Sequence, residues 1–278
     1  MKTIVFLVSV LFTSSSALAQ NQTYFGDQLV RKGRFYIYWG WNRSVYTKSD
    51  ITFLGEDYDF TLSQVVAKDR QSKFKLQTYF SPSYLTIPQY NLRVGYFVKE
   101  HWTVSLGIDH MKYVMQNDQT VKMNGYISHT ETKYDGTWED KDIRLTTDFL
   151  KFEHTDGLNY ANLEIRRFDQ VLNLNQVRIS LTEGVGYGIL YPRTNTTLLN
   201  HERYDEFHYS GYGLSAVAGL RISFFDRFFV QTELKGGYID LFDIRTTKSD
   251  RGRAKQKFYF GQSNIVFGTS HHFVRKNY

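Results

Sequence analysis

Residues 152 to 160 read Phe-Glu-His-Thr-Asp-Gly-Leu-Asn-Tyr, so His154 and Asp156 stand two residues apart with Asn159 just beyond. A histidine beside an acid is the pairing of a general base with the group that orients it. A hydrolase built on such a pair also needs a hydroxyl nucleophile within hydrogen-bond reach of the imidazole. Thr155 is adjacent, but neighbouring side chains on a strand point to opposite faces. The hydroxyl would have to come from another strand, with Ser210 and Ser215 as candidates. Asp-Gly is also a common turn dipeptide, which would make His154 a rim residue where a strand meets a loop. The strand-to-loop boundary is the expectation taken here, with catalysis as the alternative.

Seven further ionisable residues share a pattern. Arg93, Asp109, Glu164, Arg166, Arg221, Glu233 and Lys235 each fall near the middle of a segment that alternates with period two, on the face opposite its apolar one. Alternation of this kind is a strand signal. Phe35, Ile37, Trp39 and Trp41 oppose Tyr36, Tyr38, Gly40 and Asn42. Leu92, Val94, Tyr96 and Val98 oppose Asn91, Arg93 and Gly95, and the pattern recurs at 58–66, 104–109, 159–170, 177–190, 211–222, 228–235 and 257–267. Twenty-one tyrosines, 22 phenylalanines and only three prolines fit a chain of strands.

The links at 99–101, 172–176 and 225–227 are tight. Those near 48–56, 116–157, 191–206 and 247–254 are long and polar. Short turns at one end, long polar loops at the other, apolar residues outward and charges inward are the marks of a bacterial outer-membrane barrel. We therefore expect an all-β fold, an antiparallel up-and-down transmembrane β-barrel of about ten strands, with eight to twelve admissible. Its seven charged residues would form a polar network in a lumen filled by side chains, too narrow for a general porin. A secreted sandwich or lipocalin-like barrel would bury the apolar face instead.

Residues 1–19 carry one lysine, an apolar run from Ile4 to Phe12 and Ala17-Leu18-Ala19. That is the form of a secretory signal, and residues 20–278 would make one barrel domain with a long extracellular loop around 116–157. There is no cysteine, hence no disulfide framework, and the formal net charge of +6 falls by one if Lys2 leaves with the leader. No phosphate-binding loop, dinucleotide fingerprint, zinc spacing or basic stretch suited to nucleic acid is found, so no cofactor, metal or nucleic-acid partner is expected. Glu56, Asp57 and Asp59, and Glu139, Asp140 and Asp142, are read as solvated loop charge, since neither cluster has calcium-loop spacing.

Two local features are ambiguous in sequence. Glu183 shares parity with the apolar residues Leu181 and Val185, so either a bulge at Thr182-Glu183 turns it inward, the expectation taken here, or it lies close to the membrane interface. The run "EGVGYG" at 183–188 has the letters of a potassium filter but none of its helical context. Gly184, Gly186 and Gly188, with Gly211, Gly213 and Gly219, are instead expected to leave a strip that large residues from across the barrel fill.

The runs "GEDYDFTL", "TIPQYNLRVGYF", "GIDHMKYVM" and "FEHTDGLNY" resemble those of an uncharacterised family of outer-membrane barrels in Bacteroidota, over most of the mature chain. That resemblance implies a fold and a location in the outer membrane of a Gram-negative bacterium, without an activity. The stretch at 152–157 also resembles, in part, the outer-membrane lipid A 3-O-deacylases, whose motif is Phe-x-His-x-Ser-Asn. Phe152 and His154 match it, while Asp156 and Gly157 replace its serine and asparagine. The expected role is thus structural or binding, through the extracellular loops, toward lipopolysaccharide, a protein partner or a small ligand. A lipid A acyl hydrolase using His154 and Asp156 is the alternative, and a narrow channel a weaker one.

Overall fold

The computed structural model describes residues 30–84, 87–199 and 201–272, and the leader expected at 1–19 lies outside them. In chain order the elements are β1 (Arg34–Tyr46), β2 (Ser49–Leu54), β3 (Tyr58–Val65), β4 (Ala67–Lys68), the short helix α1 (Leu76–Phe80), β5 (Tyr90–Phe97), β6 (Trp102–Met115), β7 (Thr120–Ile127) and β8 (Gly136–Arg144). They continue with β9 (Leu150–Leu174), β10 (Val177–Leu190), β11 (Arg193–Leu198), β12 (Tyr204–Phe207), β13 (Gly211–Phe224), β14 (Phe228–Arg245) and β15 (Arg253–His272).

Eight of these close a ring in the order β1-β5-β6-β9-β10-β13-β14-β15. The seam is made by β1 and β15, paired from Arg34↔His272 to Tyr46↔Phe260. Every pairing is antiparallel. Closure matters because it leaves no unpaired backbone edge, which hydrocarbon does not tolerate. Eight is the lower end of the expected range. The seven other strands, β2, β3, β7 and β8 with the short β4, β11 and β12, lie outside the ring.

Burial fixes which way the wall faces. Leu106 is 66% exposed and Leu214 50%, whereas Glu164 and Arg166, one and three positions along β9 from Leu163, the ladder partner of Leu106, are fully buried. Phe35, Ile37, Leu92, Val94, Val104, Ile108, Leu163, Ile165, Leu181 and Val185 complete an outward apolar belt. The fold is a transmembrane β-barrel.

Strand β9 runs for 25 residues, against the roughly 9–11 that cross a bilayer at a tilt. Its surplus, with those of β14 and β15, continues beyond the belt at the long-loop end. There β15 pairs β2, β2 pairs β3, β3 pairs β7 and β7 pairs β8. The hairpin β11–β12 leans on the far end of β9. In this extension the alternation is inverted. Tyr58, Phe60 and Leu62, read in sequence as part of the outward apolar face, are at most 2% exposed and pack with Phe53, Phe149 and Phe152 in an apolar core. The physical reason is the solvent: a strand in lipid hides its charges, a strand in water hides its hydrocarbon. Period-two alternation is the same in both.

The interior is consequently layered. Next to the short turns, Tyr36, Tyr38, Phe97, Phe168 and Phe229 form an aromatic layer. The charged network lies beyond it, and the apolar core of the extension seals the other end.

Candidate functional site

All seven charged residues expected in the lumen are buried, and six of them form one ionic network. Glu164 on β9 is its centre. Its Oε1 forms ion pairs with Arg93 Nη2 at 2.9 Å and Lys235 Nζ at 2.6 Å, and its Oε2 accepts a hydrogen bond from Arg166 Nε at 2.5 Å. Arg166 reaches on to Glu233, and Lys235 to Asp109. Tyr38 joins the halves: its hydroxyl accepts from Arg93 Nε and Arg166 Nη2, each at 3.0 Å, and donates to Glu233 Oε1 at 3.3 Å. Asn162 donates to Asp109 and Asn264 to Glu233, both at 3.0 Å. Buried ions are tolerated only when paired and hydrogen-bonded on most sides. The network meets that condition for three cations and three carboxylates.

The seventh residue, Arg221, is different. Among the described residues it finds no carboxylate; it donates through Nε to Gln231 Oε1 at 2.5 Å and is held by the rings of Phe229, Phe168 and Tyr36 at 3.8, 4.4 and 5.0 Å. Tyr38, Asn162, Gln231 and Asn264 were missed as network members when only ionisable residues were considered. Tyr38, Asn162 and Gln231 share the inward parity of the charged residues, which is the signal that would have found them.

The glycines make the network possible by register. Gly184 pairs with Arg166, Gly186 with Glu164 and Gly188 with Asn162. A Cβ at Gly184 would lie 2.6 Å from Arg166 Cγ, and one at Gly186 2.7 Å from Glu164 Cγ. At Gly184, Gly186 and Gly188 the space is therefore filled from the adjacent strand β9, and at Gly219 from Thr182 of β10 and Glu233 of β14, not from across the barrel.

Glu183 keeps its outward parity, half-buried, opposite Arg167. The bulge lies elsewhere, between Ile179 and Ser180 against Val171 of β9, close to the short turn. The expected inward turn of Glu183 does not occur. Arg167 and Asp169 face outward on the same side of β9 and pair at 2.8 Å, so Glu183 belongs to a polar patch toward the short-turn rim.

The 152–160 stretch is neither turn nor rim. β9 passes through it without a break, and a bulge set by Gly157, whose φ is +131°, separates the pair Leu158↔Met111 from the pair His154↔Tyr113. His154 ends fully buried in the extension, against Tyr113 and Phe152, sharing a 2.9 Å hydrogen bond from Nδ1 with Thr194 Oγ1. Its Nε2 has no hydrogen-bond partner. Burial pushes its pKa down to about 3, so the ring is neutral. Asp156 points the other way, half-exposed, 3.7 Å from Arg193. Ser210 Oγ donates to the carbonyl of His208 and Ser215 Oγ lies beside Tyr160. Among the described residues no acid pairs with His154, and the hydroxyl hydrogen-bonded to it is that of the buried Thr194, without the third group that would orient the base.

Glu153 was not anticipated. It is buried and accepts from Arg70 and Asn195, each at 2.8 Å, and from Thr155 at 3.3 Å, tying the 69–70 segment and β11 to β9. The acid clusters pair with cations, Glu56 with Arg251 and Asp142 with Lys122. Among the described residues no three metal-ligating acids or histidines converge.

No family model and no curated protein matches the chain. Solved structures do. Ail of Yersinia pestis is 10% identical, spanning 86% of this chain and 99% of its own, with a TM-score of 0.33. The outer-membrane protein OprG of Pseudomonas aeruginosa is 12% identical over 87% and 97%, with a TM-score of 0.38. The Neisserial surface protein NspA is 8% identical over 86% and 99%, with a TM-score of 0.35. These are outer-membrane barrels of differing roles, and strand pairing and burial define the fold independently of them.

Proposed function

We propose that this chain is an outer-membrane protein of a Gram-negative bacterium, exported by the leader at 1–19, in which a closed barrel carries a folded extracellular extension that serves as a binding or scaffolding element. The supporting observation is the filling of the interior. A layer of paired ions and an apolar core occupy successive levels, so the extension, not the lumen, is the surface left to act. On this reading the short turns face the periplasm and the long connections the exterior.

The lipid of the outer leaflet, lipopolysaccharide included, is the proposed neighbour. The segment between β4 and β5 lies along the outside of the wall, where Trp41 meets Tyr79 at 5.5 Å and Phe80 at 5.2 Å. Phe74, Leu76 and Phe80 are at least 60% exposed beside Lys73 and Lys75, continuous with the apolar belt. Rings and aliphatics flanked by lysines suit the boundary between acyl chains and anionic headgroups.

Two measurements test the reading. Lipid A mass spectra from cells with and without the protein, and with His154→Ala, should be identical; loss of an acyl chain that depends on His154 would instead establish the deacylase. The chain has no cysteine, so a fluorophore placed by Phe80→Cys reports depth directly. Quenching by lipid-borne quenchers is expected, and quenching only by aqueous iodide would remove the lipid contact.

A further inference from the structure

The mouth of the barrel at the short-turn end is a narrow cleft lined by Arg31, Arg34, Arg221 and Arg227, with Ser223 and Ser270 between them. Its one acid among the described residues, Asp226, is engaged by Arg178, and the Asp226 carbonyl accepts from Arg34. Three of the four lining arginines are buried as residues: Arg31 and Arg34 are 7% exposed and Arg221 5%. Arg31 spends its terminal nitrogens on Ser180 Oγ at 2.7 Å and the Phe168 carbonyl at 3.4 Å. Arg34 Nε and Arg221 Nη2 are buried with no hydrogen-bond partner.

Cations in this interior are otherwise matched. Arg93, Arg166 and Lys235 each touch a carboxylate, and only Arg221 is left to aromatic rings. A buried guanidinium without a counter-charge is strongly unfavourable, and unpaired donors beside it add to the cost. Planar donor forks suit oxyanions, which accept two parallel hydrogen bonds. Hydroxyls at Ser223 and Ser270 add donors of the right size.

We propose that this mouth binds an oxyanion, a phosphate or sulfate group, between Arg34, Arg221 and Arg227. The same chemistry comes from two sources, the free ion or the phosphodiester headgroup of a lipid in the facing leaflet. The assignment rests on the cleft alone; the outer-membrane reading decides only which compartment supplies the ligand.

The test uses the full mature chain in detergent. Inorganic phosphate is titrated by calorimetry and by thermal unfolding, with chloride at equal ionic strength as control. Saturable binding of phosphate and a rise in Tm not given by chloride are expected. Arg34→Gln should weaken binding at least tenfold, and so should Arg227→Gln, whose side chain is exposed and whose replacement is expected to leave the parent's Tm without phosphate unchanged. If phosphate and chloride act alike, or both variants bind as the parent does, the site does not exist. The source is settled in nanodiscs. Phosphatidylglycerol discs that raise Tm over phosphatidylcholine discs, through Arg227 and in competition with free phosphate, identify the headgroup. Equal Tm in the two discs, with phosphate still raising it, identifies the free ion.

Discussion

At the scale of single residues, the interior is decided by pairing. Arg166 serves two carboxylates and Tyr38 at once, so Arg166→Met leaves three carboxylates facing two cations, with Glu233 stripped of its only paired cation among the described residues and one excess negative charge in a closed lumen. We expect a loss on the order of 3–5 kcal/mol, read as a lower urea midpoint for refolding into detergent. His154 makes a different prediction. Its folded pKa is depressed far below the usual histidine range, so between the two values the unfolded chain binds the extra proton. Its contribution is fully present above the unfolded pKa near 6.5 and falls by about 1.4 kcal/mol per pH unit as pH drops toward 3. Protease resistance of the extension should decline over that window in the parent and much less in His154→Phe. An identical decline in both would place the acid sensitivity elsewhere.

At the scale of elements, register does what side-chain identity cannot. Arg166 lies flat because its partner across the β9–β10 ladder is Gly184. Gly184→Ala puts a methyl 2.5 Å from the Ile165 carbonyl oxygen and should cost about 1–3 kcal/mol by overpacking, in the same refolding assay. The extension has a core of its own, centred on Phe53, Phe60, Phe149 and Phe152. Phe60→Ala should remove about 3–5 kcal/mol from that unit. The expected signature is cleavage in β2, β3, β7 and β8 by added protease while the membrane ring stays protected. Simultaneous loss of both would mean that the two layers unfold as one. The positions of the surplus strands were legible as alternation but not as members of a second layer, because period two carries no sign: the same spacing that turns Leu92 and Val94 to lipid turns Phe60 and Leu62 to a dry interior.

For the molecule as a whole, filling excludes flow. The interior holds paired ions at one level and hydrocarbon at another, so planar bilayers should show no discrete conductance steps for the intact protein. Steps of reproducible size would require the core of the extension to open. The two ends differ in kind as well. One is a broad folded surface, the other a narrow arginine-lined mouth.

The sequence by itself determined the closed, inverted barrel, since alternation, turn length and mid-strand charges depend only on near neighbours along the chain. It placed all seven lumen residues for the same reason. Tertiary structure alone decided the number of strands in the ring, because leaving it or staying in it depends on partners more than a hundred residues apart, such as β15 for β2. It also decided the fate of His154. A bulge at Gly157 and a wall of aromatics from other strands turned an apparent base into a buried, neutral core residue, and no local pattern carries that information.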